Sequence, residues 1–303
     1  MLNLPVRQAG LFQHLFFAIF VIMKKIIFSL FILAAVLIAA CDYIAIPKED
    51  YMPVVVPADT VIRKVLLEDY TGHTCASCPN AAAQALLLKQ QYRENLIVIG
   101  LHTNVVADPV TNYPENFHTT AGDAYFTFFS FTGTPVGMVN RIGFPSLNHD
   151  LSFTNWPSAV GSIINSPPRA DIEISHTYDT GTRQLNISTS TKFLNDTTGN
   201  FYVVALITED SIYAPQLDNT TYVPNYLHRH VLRGSVPDAA VWGYQILNGG
   251  ILAGDTANKT FPPFTLNGGW DDTHCYIVVY VYDNNPLSST YKEILQAEEQ
   301  KIR

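Results

Sequence analysis

Val65-Leu66-Leu67-Glu68-Asp69-Tyr70-Thr71-Gly72-His73-Thr74-Cys75-Ala76-Ser77-Cys78-Pro79-Asn80 is the stretch on which the reading of the fold turns. Lys64 to Tyr70, which overlaps its first part, is a short apolar run of the kind that forms a buried strand. Thr71 to Thr74 reads as a turn. Residues 81–92, rich in Ala, Leu, Gln and Lys, predict a helix, and Leu96 to Leu101 predicts a second buried strand. A bare Cys-x-x-Cys is weak evidence, but strand, Cys-x-x-Cys, helix and strand in that order is a meaningful context. Thr74 is read as the helix N-cap, which puts Cys75 at the start of the helix. Free backbone N–H groups and the positive end of the helix dipole stabilise a thiolate there. Cys78 follows one turn later, placed to close a disulfide or resolve a mixed one. Pro79 falls within the first turn, where a missing N–H costs little.

Two more features follow in order. Asp69 ends the first strand, six residues before Cys75. Phe131-Thr132-Gly133-Thr134-Pro135-Val136-Gly137-Met138-Val139-Asn140 reads as loop, proline and strand. Together with the cysteine pair, these resemble the thioredoxin-like proteins. The resemblance implies a buried Asp69 accepting a proton behind the resolving Cys78, and a cis Pro135 facing the pair. The residues themselves leave two alternatives open. Cys75 and Cys78 form a stable structural disulfide, since an exported chain reaches an oxidising compartment. Or they belong to a zinc site, which needs two more ligands from among His73, His102 and the distant Cys275. Residues 103–119, with Asp108-Pro109 and Tyr113-Pro114, read as an inserted loop bordering the same face.

The flanking chain sets the context. Its 303 residues are comfortable for two domains, and 48% hydrophobic against 15% charged residues excludes a disordered chain or a coiled coil. A net charge of −8 argues against nucleic acid as a partner. Arg7, Lys24 and Lys25 are the only charges before Cys41. The apolar run from Ile26 ends in Ala39-Ala40-Cys41, so residues 1–40 are read as a lipoprotein-type signal peptide with translation starting at Met23. Cys41 is then the lipidated residue, tying the chain to a membrane through acyl chains. Residues 41–60 read as a tether between lipid and domain, with an edge strand covering the next domain as the open alternative.

Residues 61–166 are assigned to the α/β domain, closed by a helix near 155–165. Ser166-Pro167-Pro168 marks the boundary, since two prolines end a helix and stiffen a linker. Beyond it the period changes to alternation in Asp171 to Ser175 and Leu185 to Thr189, with β-branched and aromatic runs at Phe201 to Ile207 and Tyr276 to Tyr282. Short strands at such spacing predict an all-β immunoglobulin-like sandwich over residues 167–303. His228 and His230 would share a face on a strand, but no neighbouring carboxylate or cysteine completes a metal site. Cys275 heads an apolar strand and is expected to be a buried, inert thiol.

The chain as a whole resembles the thioredoxin-like outer-membrane lipoproteins of Bacteroidetes-type bacteria named after an outer membrane protein 28. The shared features are the lipoprotein-type signal ending in Ala39-Ala40-Cys41, Val65-Leu66-Leu67-Glu68-Asp69-Tyr70-Thr71-Gly72 leading into the cysteine pair and Pro79, Gly133-Thr134-Pro135, and the β-rich second half. The resemblance implies an outer-membrane location, with Ile294 to Gln300 as a strand. Two functions follow as expectations. One is a lipid-anchored thiol–disulfide oxidoreductase in which Cys75 attacks, Cys78 resolves, Asp69 moves the proton and Pro135 shapes the groove; its partners are envelope proteins with disulfides. The other is a non-catalytic surface lipoprotein whose sandwich binds a protein or glycan. Neither calls for a cofactor or a metal. Hydrolase, kinase and nucleotide-binding motifs are absent from the sequence.

Overall fold

Strand β1 (Val65–Thr71) runs parallel to β2 (Leu96–His102), in register from Val65↔Leu96 to Thr71↔His102. A parallel pair needs a crossover, and helix α1 (Cys78–Tyr92) supplies it. On its other side β1 pairs antiparallel with β3 (Val136–Val139). Helix α2 (Thr120–Phe128) precedes β3 and helix α3 (Trp156–Ile163) follows it. The computed structural model describes residues 61–146 and 149–303. The expected signal peptide over 1–40, the lipidation at Cys41 and the tether over 41–60 lie outside the described residues.

The second half is strand after strand: β4 (Ala170–Asp179), β5 (Gln184–Phe193), β6 (Thr197–Glu209), β7 (Ile212–Asp218), β8 (Thr221–His228) and β9 (Val231–Ser235), then β10 (Tyr244–Ile251), β11 (Thr256–Thr260), β12 (Phe264–Thr265), β13 (Cys275–Asp283) and β14 (Ile294–Lys301). The alternating stretches form β4 and β5, the aromatic runs form β6 and β13, and Ile294 to Lys301 is the strand that the resemblance favours.

The expected division at Pro167 meets a different arrangement. A single sheet runs in the order β14-β13-β6-β9-β2-β1-β3, with β10 also on β6. β9 is the splice: it is antiparallel to β6 and touches β2 in parallel at Gly100↔Val231, where Gly100 N–H donates to His230 C=O at 2.8 Å. Ser166 to Pro168 does break the chain, since α3 ends at Ile163 and β4 begins at Ala170. Hydrogen bonding nevertheless crosses the break, and the described residues form one compact unit. The sandwich is likewise not a free-standing immunoglobulin-like domain, because one of its sheets is this shared one. The other holds four strands, β4, β5, β11 and β12.

Period-2 side-chain alternation sorts the core into layers. On one face of the shared sheet, Leu66 and Tyr70 of β1, Ile97, Ile99 and Leu101 of β2, and Val278, Tyr280 and Tyr282 of β13 form a continuous cluster with Ala121 and Tyr125 of α2. On the opposite face, Val65, Leu67, Leu96 and Val98 pack on α1 and α3, while Ile277, Val279 and Val281 pack on Ile172, Ile174, Leu185 and Ile187 of the smaller sheet. A buried ion pair ties the two halves together. Arg141 donates to both oxygens of Glu68 at 2.6 and 2.8 Å and to Tyr280 Oη at 2.9 Å. Among the described residues, no helix is long and apolar enough to cross a membrane.

Candidate functional site at the Cys75–Cys78 loop

The chain leaves β1 at Thr71 and turns tightly. Gly72 is required here, because a Cβ would lie 2.6 Å from the Val106 backbone and side chain. Thr74 is not the helix cap: its N–H and Oγ1 both donate to Val106 C=O, at 3.0 and 2.9 Å. The cap position falls to Ser77, and α1 begins at Cys78 with Pro79 behind it. Cys75 thus lies in the loop before the helix, with its N–H donating to Gly72 C=O. Cys75 and Cys78 are joined as a disulfide and are 5% and 1% exposed. The 103–119 segment borders this loop as expected, through Val106 and through a hydrogen bond from His73 Nε2 to Asp108 C=O at 3.0 Å.

Asp69 sits near the end of β1, opposite Gly100 of β2 and Gly137 of β3. It is buried, its Oδ1 has no hydrogen-bond partner among the described residues, and burial pushes its carboxyl up to about 7. Asp69 and Cys78 line one cavity of about 400 Å³, with α1 as one wall and His102, Gln216, Tyr226 and His228 also lining it. Thr134–Pro135 is a cis peptide, and Pro135 directly precedes β3, whose Val136 pairs with Tyr70. The register therefore sets Pro135 beside the exit of β1 from the sheet.

Histidines crowd the site. His102 and His228 have ring centroids 5.4 Å apart, with Phe117 at 4.8 and 5.3 Å from them. His73 stacks on Tyr113 at 5.6 Å. Burial holds His102 well below the usual 6.5, lowers His73, and brings His228 down to about 4. All three are neutral at pH 7. His230 does not share a strand face with His228, because β8 ends at His228 and His230 occupies the following turn with φ 52°. Among the described residues, no group of three or more His, Cys, Asp or Glu is arranged to hold a metal. Cys275, the distant candidate zinc ligand, is fully buried in the core of the sandwich, and burial raises its thiol to about 12.

The element that covers the loop lies outside every sequence expectation. β7 and β8 form a two-stranded hairpin that, among the described residues, pairs with neither large sheet. Leu217 N–H donates to His73 C=O and Asn219 N–H to Ala76 C=O, both at 2.8 Å. The buried Gln216 side chain donates to Gly72 and Cys75 C=O, both at 3.3 Å. Pro215 and Pro224 within the strands mask this hairpin, since proline inside a run argues against a strand. Its two segments of β-formers around Asp218-Asn219 are the available signal.

Comparison with known proteins bears on this geometry. The sequence profile described as outer membrane protein Omp28 matches residues 122–303. Among solved structures, HBP35 of Porphyromonas gingivalis superposes with a TM-score of 0.61 at 16% identity, covering 80% of this chain and 76% of that one. A protein of Agrobacterium tumefaciens gives a TM-score of 0.43 at 10% identity, over 80% of this chain and 96% of that one. No curated protein matches the chain in sequence. The HBP35 likeness concerns the fold, whereas the profile spans more than half of the chain, and the protein belongs to the Omp28 family of outer membrane proteins.

Proposed function

We propose that this protein is a non-catalytic, lipid-anchored protein of the outer membrane, in which a thioredoxin-like substructure with a closed disulfide is a scaffold and the sandwich binds a protein or glycan partner. The order β1, cysteine loop, α1, β2, with a cis proline leading into an antiparallel β3, supports the thioredoxin-like reading. Lipid on Cys41 would supply the anchor, each buried CH₂ contributing ~0.8 kcal/mol. The observation that carries the non-catalytic reading is the covered loop: both cysteines are buried, and the β7–β8 hairpin hydrogen-bonds to four of its carbonyls. A working thiol–disulfide site needs a partially exposed attacking sulfur.

One observation favours the oxidoreductase as a second reading. Asp69, raised to about 7, shares a cavity with Cys78, where a carboxylate would take the resolving thiol's proton. Insulin reduction separates the two. The soluble Cys41→Ala form should reduce insulin no faster than the same form carrying Cys75→Ser. A Cys75-dependent rate well above that control would overturn the non-catalytic reading.

A further inference from the structure

We propose that the β7–β8 hairpin is a dispensable cover that holds the polypeptide-docking edge of the Cys75–Cys78 loop in cis. This goes beyond the proposed function, because it concerns what shields the disulfide, whatever the protein binds.

The topology carries the first part. β6 and β9 are antiparallel neighbours, and Glu209 faces Val231 across the ladder. A turn of two to five residues ordinarily closes such a pair. Here the chain instead leaves at Asp210 and returns at His230, spending the whole excursion on a hairpin that, among the described residues, joins neither large sheet. Among the described residues, it adds no strand to the shared sheet or to the sandwich. A lone two-stranded hairpin is only marginally stable, so this one depends on what it rests on.

What it rests on is the disulfide loop. Gly72, His73, Cys75 and Ala76 point four carbonyls at β7 and the turn after it, and they accept two backbone N–H groups and the Gln216 amide. Backbone N–H to carbonyl bonds are the contacts by which an extended peptide adds to an exposed edge, and they do not depend on side-chain identity. β7 therefore occupies the path that an extended polypeptide thiol would take to Cys75. Beneath it, Ala214 packs on Phe117 and Val231 in a small satellite core, and Tyr222 meets Tyr113 at 5.5 Å. At the end of β8, His228 is buried against His102 and Phe117, and together these side chains form a local contact set outside the sheet ladders, which suits a unit that opens without unfolding the sheet.

The test measures how fast the disulfide is reduced. Dithiothreitol reduces the Cys75–Cys78 bond to two thiols and is itself oxidised to its cyclic disulfide; alkylation and mass measurement count the products. A variant with residues 211–229 replaced by two glycines should be reduced at least ten-fold faster than the intact chain. With reduced, unfolded ribonuclease as the thiol, the gain should be larger still, since a polypeptide needs the covered edge. Gln216→Ala with Leu217→Pro removes two of the three docking donors, sparing the Asn219 N–H, and keeps the hairpin in the chain; it should be reduced several-fold faster, and it decides the matter if the deletion variant fails to fold. Rates equal to the intact chain in the folded variants would overturn the proposal. Insulin turnover by the intact chain would contradict the proposed function; it would overturn this proposal as well only if the hairpin variants turned insulin over no faster than the intact chain.

Discussion

Asp69 and Arg141 show two ways a buried charge is handled. Among the described residues no cation offsets the burial of Asp69, and burial lifts its carboxyl from the ordinary 3.8 to about 7. The folded state therefore holds the proton more tightly than the unfolded chain does. The associated stability is fully present below about 3.8 and is lost as the pH rises through about 7. Asp69→Asn removes that loss. The variant should be more stable than the native chain at pH 8 by roughly 1–4 kcal/mol and little different at pH 4, as read by urea unfolding at the two pH values. Arg141 is neutralised instead by Glu68. Removing one partner of such a pair strands the other, so Arg141→Met should cost about 3–5 kcal/mol, and pairing it with Glu68→Gln should recover part of that loss. Asp69 is legible in the sequence because its spacing from Cys75 is local. The ion pair is not, since its members lie 73 residues apart and nothing in either neighbourhood names the other.

At the scale of the element, β1, α1 and β2 are legible as a run of apolar, turn and helix-forming residues, and the structure returns them within a few positions. The helix starts at Cys78 rather than Cys75 because Val106, from the inserted segment, takes both donors of Thr74. Local rules for caps do not see a competing acceptor that arrives from 32 residues away. The hairpin is hidden for a related reason: its strands carry prolines that only a pair free of sheet neighbours tolerates. Its docking should respond to pH. Burial lowers His228 to about 4, and its surroundings include His102 and His73, both also held below the usual 6.5. A histidine held neutral contributes stability above its unfolded pKa, and that contribution is lost as the pH falls from about 6.5 toward 4. In an Asp69→Asn background, which removes the opposing gain from the carboxyl, the urea midpoint should therefore fall between pH 7 and pH 4.5, and by less when His228→Gln is added.

For the whole molecule, the sequence periods set out an α/β first half and an all-β second half, and the helices and strands follow that order. What the periods do not show is that β9 stitches the halves into one sheet through Gly100 and Val231. That contact is a matter of long-range register, which alternation in a single strand does not encode. The shared sheet and its continuous core predict joint unfolding: calorimetry should give a single transition whose van't Hoff and calorimetric enthalpies agree, whereas two separated transitions would mean that the halves are independent. The central claim is that the native protein keeps its disulfide closed and shielded. Its most direct test is alkylation of the intact, folded chain under mild dithiothreitol, with mass measurement at Cys75 and Cys78. Both cysteines should be labelled far more slowly in the folded chain than in the urea-unfolded one; labelling of Cys75 in the folded state as fast as in the unfolded chain would contradict the claim.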